Sequence, residues 1–586
     1  MVAGETLTAL DAIFERSFAD GSLPGMAYGL VADGQLIHTD GLGTTRLGVD
    51  ARPDRDSVFR IASMTKCFTA AAVLSLRDEG RLRLDDPVAR WVPDLADVAG
   101  PTADSPPITI EHLLTMSAGL PTDDPWGDRQ QGLDLEPFAA LLRDGPTFAW
   151  APGTRFEYSN LGYGILGRVI TNVAGTEYDA FVRARLLEPL GMTATTFRAE
   201  EVPAGRLALG YLRRDGAWLE EPADGYGALA SMGGVLTSIG DLARWVGGFT
   251  DAFPPRDGHD GDHPLSRATR REMQEVRRSF EPELSWPSAY DAPSLVSGGY
   301  GYGLFVFDDL RIGRMVGHGG GYPGFGSHMR WHPASGLGVI AFGNARYARM
   351  GDPVTRALIE VVTREASRVR RIVPWPVTVA ARAAVERLLA GWDDAVAAGL
   401  FAMNVELDEP LELRRAAIER LRERHGLLRP DVAAGVESHA PSHLAWWMTG
   451  ERGRVKVEIL LDPERQPLVQ ALTLTSVGEP SPRVHAIARR LVACLAEPGP
   501  RWPADVPLAA SADHEAIERG LRAAEARFGP VELRHQIAGD GVTTATWRLR
   551  GPRGEVDLIL ETAEPDGELV RAAFVPCPME PPTEAV

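Results

Sequence analysis

Ile61-Ala-Ser-Met-Thr-Lys-Cys-Phe-Thr-Ala70 is the stretch from which the rest of the chain can be read. The sequence holds 61 lysines and arginines together, yet only two of them, Lys66 and Lys456, are lysine. A chain that uses arginine almost everywhere keeps a lysine three residues after Ser63. On a helix, positions i and i+3 share a face, with Cβ atoms about 5–6 Å apart. A serine hydroxyl is a weak nucleophile until a neighbour takes its proton. Arginine cannot do this, because its pKa stays above about 12, whereas a desolvated lysine can. Chance places a serine three positions before a given lysine roughly one time in fifteen to twenty, so the pairing draws its weight from the scarcity of lysine.

Working outward, the apolar-periodic run from Ser63 to Asp78 stops at Gly80, as a helix should. Met26–Ala32 and Gln35–Thr39 flank Asp33-Gly34, a hairpin signal. Strands are predicted again at Gly303–Phe307, Arg314–His318, Ser327–Trp331 and Leu337–Phe342. His332-Pro-Ala-Ser-Gly336 joins the last two, and a helix is predicted at Pro353–Ala366. Early and late strands with helices between them predict an α/β (α+β) fold over residues 1–370: one antiparallel sheet built from both ends, with a helical subdomain inserted.

The chain has 586 residues, too many for one core. Its composition, 44% hydrophobic and 24% charged, is that of a globular protein. No apolar run approaches the ~20 residues a bilayer span needs. The first residues, Met1 to Arg16, mix acids with apolar side chains and read as an amphipathic helix, not a signal peptide. Three cysteines, Cys67, Cys494 and Cys577, form no disulfide framework. Together these features point to the cytoplasm and to no membrane partner. A formal net charge of −19 without a basic stripe argues against nucleic acid as a partner.

Arg370-Arg-Ile-Val-Pro-Trp-Pro376 is stiff and extended and marks a domain boundary. Beyond it, Trp446-Trp-Met-Thr-Gly-Glu-Arg-Gly-Arg-Val455 recurs as Trp547-Arg-Leu-Arg-Gly-Pro-Arg-Gly-Glu-Val556. Ala417-Ile-Glu-Arg420 recurs as Ala516-Ile-Glu-Arg519, each before a helix-ending glycine (Gly426, Gly529). The repeat, about a hundred residues long, predicts two tandem α+β modules, 380–480 and 481–586. Neither carries a catalytic constellation. They could cap the active site, make a homo-oligomer or bind a carrier partner. Lys456, on a predicted strand with Asp557 at the equivalent position, reads as a solvated surface charge.

Two further motifs stand in the first half. Phe156-Glu-Tyr-Ser-Asn-Leu-Gly-Tyr163 follows Pro152-Gly153 and precedes an apolar helix, Leu161–Val173, which puts Tyr158 and Asn160 on a loop. A tyrosine can relay the serine's proton if nearby cations lower its pKa from about 10. In Val316-Gly-His-Gly-Gly-Gly-Tyr-Pro-Gly-Phe-Gly-Ser327 a strand is expected to end at His318. Gly319, Gly320 and Gly321 would then let a substrate lie against the backbone, and His318 could supply a proton or partial positive charge. No Gly-Lys-Ser/Thr follows, which argues against a phosphate loop. His259-Asp-Gly-Asp-His263 has the composition of a metal site, but glycine and proline flank it on both sides and it reads as a solvated loop, so no metal or other cofactor is expected. Cys67 reads as a small buried apolar residue.

Taken in order, Ser63-x-x-Lys66, Tyr158-x-Asn160 and His318-Gly-Gly320 resemble the serine β-lactamase and penicillin-binding-protein superfamily. Tyr-x-Asn, with histidine where many members have Lys-Thr-Gly, is similar to the class C-like branch of esterases, D-aminopeptidases and related acyl-transfer enzymes. The resemblance covers roughly residues 10–365. It implies a β-lactamase-like domain in which Ser63 forms an acyl-enzyme with a small-molecule acyl substrate. It further implies that Lys66 and Tyr158 share the base work and that Asn160 steadies Lys66 and the substrate amide. The strand around His318, Gly319 and Gly320 would line the acyl group, and the backbone N–H groups of Ser63 and Gly321 would form the oxyanion hole. There is no Ser-Asp-Asn motif and no second lysine near the third motif, which favours esters, amides or small peptides over penicillin-like substrates. An acyltransferase or peptide cyclase would use the same residues, and an acylatable sensor or scaffold without turnover stands as a further alternative.

Overall fold

A computed structural model describes residues 2–577, except 223, 282, 286–293, 310, 370–371, 498, 553 and 564–566. Arg370 and Arg371 of the boundary segment therefore lie outside the described residues. The chain divides into two compact units, Met1–Arg368 and Val369–Val586.

The first unit is organised around an antiparallel sheet that joins both of its ends. Helix α1 (Gly4–Phe18) leads into β1 (Gly25–Ala32) and β2 (Gln35–Gly43). The turn between the strands holds Asp33 and Gly34 at φ of 50° and 75°, the left-handed pair that a tight hairpin requires. The chain then makes its helical excursion, with α2 (Thr65–Asp78), α3 (Asn160–Ala174) and α4 (Ile239–Asp251) as the long helices. It returns as β3 (Ser294–Tyr300), β4 (Phe305–Asp309), β5 (Gly313–Tyr322), β6 (Phe325–His332) and β7 (Leu337–Gly343), and α5 (Gly351–Arg364) closes the unit. Among the described residues the spatial order is β2-β1-β7-β6-β5-β4-β3, followed by the short strand Arg278–Ser279. The N-terminal strand β1 pairs with the last one, β7, from Met26↔Gly343 to Val31↔Gly338.

Every residue of β1 is buried, because helices cover both faces of the sheet. Tyr28 stacks on Phe14 of α1 with ring centroids 4.2 Å apart. Its neighbour Gly29 points the opposite way, as strand residues must, and a Cβ there would come within 2.8 Å of Ile239 in α4. Helix α2 is buried on all sides from Thr65 to Leu76, the mark of a central core helix. Its Phe68 stacks on Trp245 of α4 at 4.0 Å.

Three local expectations change. Ser63 does not begin the α-helix; it sits in a 3-10 turn, Ala62–Met64, that feeds α2. Asn160 is not on a loop but is the first residue of α3, with Ser159 as the N-cap accepting from the Gly162 N–H at 3.2 Å. His318 does not end its strand. β5 runs on through all three glycines to Tyr322, because they pair in register with β6, and the turn falls at Pro323-Gly324. The glycines are demanded by close approach within the sheet: a Cβ on Gly320 would lie 2.1 Å from the Ile61 carbonyl oxygen and 2.4 Å from Ser327 Oγ.

In the second unit, helix α6 (Leu411–His425) precedes β8 (His443–Gly450), β9 (Gly453–Leu461) and β10 (Val469–Val477). Helix α7 (His514–Phe528) precedes β11 (Glu532–Ala538), β12 (Thr544–Gly551), β13 (Gly554–Thr562) and β14 (Leu569–Pro576). β9 alternates buried and half-buried positions, so one face of its sheet packs on helices through Trp446, Val457 and Leu388. The other sheet does the same through Trp547, Leu558 and Leu521. Lys456 is a partly exposed charge whose ammonium lies 2.6 Å from Glu437. Among the described residues, no helix is long and apolar enough to cross a membrane.

Candidate active site

The site is built where the nucleophile turn meets β5 and the start of α3. Ala62, just before Ser63, is in the left-handed region at φ 48°, a strained backbone that presents the serine from a tight corner. The turn is tied down on both sides. Ile61 N–H donates to the Val235 carbonyl at 3.0 Å, and Ser327 Oγ donates to the Ile61 carbonyl at 2.8 Å. Gly320 gives β5 the room to run alongside.

Ser63 and Lys66 are both buried. The ammonium of Lys66 reaches Ser63 Oγ at 3.0 Å, Asn160 Oδ1 at 2.7 Å and the Met232 carbonyl at 2.9 Å. Its three hydrogens thus have three acceptors, and none of these is a carboxylate. Burial lowers the lysine pKa to about 8, although Asp124, Asp128 and Asp123 pull it back up. Lys66 can therefore lose its proton near neutral pH, as an arginine in its place could not.

Asn160 reaches Lys66 from 94 residues further along the chain, and Tyr158 comes with it. The Lys66 nitrogen lies 4.9 Å from the centre of the Tyr158 ring and 5.7 Å from that of Tyr163. The condition set for a Tyr158 proton relay, a lowered pKa, is not met. Burial, together with the charge of Asp124, pushes the phenol well above its ordinary value, and the hydrogen bond with Ser63 only partly offsets this. Tyr158 is a neutral phenol in this site.

His318 is neutral as well. Burial, helped by the nearby Lys66 charge, lowers its pKa to about 3. Its Nδ1 donates to the Gly319 carbonyl at 2.6 Å, and its Nε2 then accepts from the Tyr300 hydroxyl at 3.1 Å. It is a neutral ring, packed 4.9 Å from Phe305 and 6.4 Å from Tyr158 between centroids, and carries no positive charge. Beyond Gly317, β5 has no partner in β4, whose first residue Phe305 pairs with Gly317. The stretch Gly319–Gly321 thus offers a backbone edge beside the Ser63 turn.

Several residues of the site have no local signal in the sequence. Asp123 accepts from the backbone N–H groups of Asn160 and Leu161 at 2.7 and 2.8 Å, which fixes the positive end of α3. Asp124 accepts from Asn160 Nδ2 at 2.8 Å, so the amide oxygen must face Lys66. Asp128 accepts from the Tyr347 hydroxyl at 2.8 Å. Only the adjacency of Asp123 and Asp124 could have flagged the segment, and nothing in it points to Asn160.

The other candidates do not join the site. Cys67 turns its thiol to the Met64 carbonyl at 3.0 Å, and burial raises its pKa, so it is inert. In the His259–His263 loop, Asp260 pairs with Arg267 at 2.8 Å and His263 Nδ1 faces Leu265, so the side chains do not converge.

Comparison with known proteins agrees with this geometry. A family model described as Beta-lactamase matches residues 10–363. The D-alanyl-D-alanine-carboxypeptidase/endopeptidase AmpH of Escherichia coli K12 is 27% identical over 366 residues, covering 60% of this chain and 88% of that protein. Protein flp of Staphylococcus aureus is 26% identical over 340 residues, covering 57% of this chain and 62% of its own length. The octameric penicillin-binding protein homologue from Pyrococcus abyssi shares the fold with a TM-score of 0.50 at 22% identity, covering 79% of this chain and 100% of that one. The chain belongs to the Beta-lactamase family, within the serine β-lactamase and penicillin-binding-protein superfamily.

Proposed function

We propose that the first unit is a serine acyl hydrolase that works through a Ser63 acyl-enzyme on an ester, amide or small peptide. The observation that carries the reading is the buried 3.0 Å approach of Lys66 Nζ to Ser63 Oγ, with a lysine pKa near 8. Neutral Lys66 takes the hydroxyl proton as Oγ attacks the carbonyl carbon. The backbone N–H groups of Ser63 and Gly321 stabilise the oxyanion, each such donor being worth about 2.7–4 kcal/mol. Collapse breaks the bond to the leaving amine or alkoxide, which takes its proton from the Tyr158 phenol, and Lys66 reprotonates the phenol. Water then attacks the ester of Ser63, giving one proton to Lys66 and restoring the serine hydroxyl. Asn160, oriented by Asp124, keeps Lys66 pointed at Oγ.

The peptide arm of the reading is supported by the names of relatives such as the D-alanyl-D-alanine-carboxypeptidase/endopeptidase AmpH. The neutral His318 argues against a substrate carboxylate at the third motif. The three free cysteines, two of them buried, favour a cytoplasmic setting. We read 380–480 and 481–586 as two copies of one module. In support, both pair a glycine across the hairpin, Gly450↔Gly453 and Gly551↔Gly554, and both end the preceding helix on a positive-φ glycine, Gly426 and Gly529.

The test is intact-mass detection of a covalent adduct with a serine-reactive phosphonate. We expect it on the wild type and not on Ser63→Ala. No adduct on either protein would leave a scaffold. Products formed with an added amine in excess of hydrolysis would make the enzyme an acyltransferase.

A further inference from the structure

The two backbone N–H groups read as the oxyanion hole sit on separate stretches of chain, Ser63 on its turn and Gly321 near the end of β5. Both must reach to within about 3 Å of the developing oxyanion. β5 cannot fix that spacing by itself. Gly319, Gly320 and Gly321 have no side chains to pack, and glycine backbone is the least constrained of any. β4 pairs with β5 only as far as Gly317, so over the three glycines the strand is paired by β6 alone. Ser327 of β6 ties the nucleophile turn at Ile61. The far end of the glycine run, at Tyr322, needs an anchor of its own.

Asp224 supplies it. Tyr322, the last residue of β5, is buried, and its hydroxyl donates to Asp224 Oδ2 at 2.5 Å. A hydroxyl bonded to a carboxylate at this length is charge-assisted and about twice as strong as a neutral pair. The main-chain carbonyl of the same Asp224 accepts from Arg60 Nη2 at 2.8 Å. Arg60 ends the short strand Val58–Arg60, three residues before Ser63, and is buried too. Its guanidinium lies over the Tyr322 ring, 4.7 Å from the centroid. Arg60, Tyr322 and Asp224 thus form a triangle in which each touches the other two. One corner adjoins Gly321 in the chain, and another leads into the Ser63 turn.

We propose that Asp224 is a positioning residue: by holding Tyr322 and Arg60 together it sets the spacing of the Ser63 and Gly321 N–H groups around the oxyanion. This deepens, and rests on, the acyl-hydrolase reading. The oxyanion charge exists in the transition state and the tetrahedral intermediate but not in the bound substrate. A slackened triangle therefore weakens binding of those states and leaves ground-state binding alone. A misplacement of about 1 Å costs on the order of 10²-fold in rate. The segment that carries Asp224 also leads to Met232, whose carbonyl accepts from Lys66, so the lysine has to be followed separately.

The test uses Asp224→Ala and Tyr322→Phe, the second of which keeps the ring over Arg60 and removes only the hydroxyl. Kinetics on p-nitrophenyl acetate are set beside the affinity of phenylboronic acid, which Ser63 converts into a tetrahedral, anionic adduct. Both variants should lose about tenfold or more in kcat, with KM within about twofold of wild type. Boronate affinity should fall by the same factor as kcat. The acid limb of the pH profile, which reports Lys66, should stay in place. A brace that serves only the fold would lower the melting temperature and leave kcat and boronate affinity as they were. That result in Tyr322→Phe would overturn the inference and leave the hydrolase reading standing. A fall in kcat without a fall in boronate affinity would do the same, as would a fall accompanied by a shifted acid limb, which places the effect at Lys66. Neither adduct nor turnover in the wild type would overturn the hydrolase reading, and the inference with it.

Discussion

Lys66 Nζ lies 3.0 Å from Ser63 Oγ, with both side chains buried and the remaining lysine hydrogens directed to Asn160 and the Met232 carbonyl. On the proposed mechanism this geometry lets the lysine act as a base and not as a charge clamp. A general base contributes about 10²–10⁴ in rate. We expect Lys66→Ala and Lys66→Arg to lose that much kcat/KM on a p-nitrophenyl ester, with arginine no better than alanine. An arginine variant keeping a tenth or more of the activity would refute proton abstraction by Lys66.

The pH profile follows from the same residue. Below pH 8 the lysine is mostly ammonium and has no lone pair, so kcat/KM should climb about tenfold per pH unit and level off near pH 8. His318, held near 3, should add no inflection around 6.5. An acid limb at 6.5 that vanished in His318→Gln would move the base to the histidine. Stability carries the same sign. The folded pKa is depressed below its unfolded value of 10.5, so the folded state binds fewer protons between about 8 and 10.5 and gains stability as pH rises through that window. In urea titrations this rise should be absent from Lys66→Met.

Asp124 acts through Asn160. With its Nδ2 released, the amide can rotate and turn a donor toward Lys66. Hydrogen bonds to charged groups are worth about 1.5–3 kcal/mol, so Asp124→Ala should lower kcat roughly tenfold or more. It also removes the largest influence holding the lysine pKa up, so the acid limb should shift to lower pH. Because Asp124 is exposed, the melting temperature should move little. A fall in activity without a shift of the limb would count against this route.

Gly320→Ala tests the packing of β5 against the nucleophile turn. The added carbon would meet the Ile61 carbonyl at 2.1 Å, and backbone cannot rotate away as a side chain can. Overpacking of this kind costs about 1–3 kcal/mol. We expect a lower melting temperature together with lost Ser63 reactivity. By contrast, Gly4→Ala, which meets nothing within 4 Å, should change neither.

The fold of the first unit was legible because its signals are local and periodic. Asp33-Gly34 marked the hairpin, and Gly80 closed α2 at φ 73°. Boundaries were misjudged where a tertiary neighbour decides them. Three consecutive glycines read as the end of a strand, but pairing with β6 keeps them in it.

Ser63, Lys66, Tyr158, Asn160 and His318 could be named from the sequence alone, because spacing within one helix turn and the order of three motifs survive without coordinates. What the sequence could not determine was their protonation. Burial moves Lys66 down to about 8, Tyr158 up and His318 to about 3, so Tyr158 does not meet the condition set for a proton relay. Desolvation depends on everything packed around a group, and most of that arrives from distant parts of the chain. For the same reason Asp124 and Asp128 came to light only in the folded structure, where one orients Asn160 and the other accepts from Tyr347.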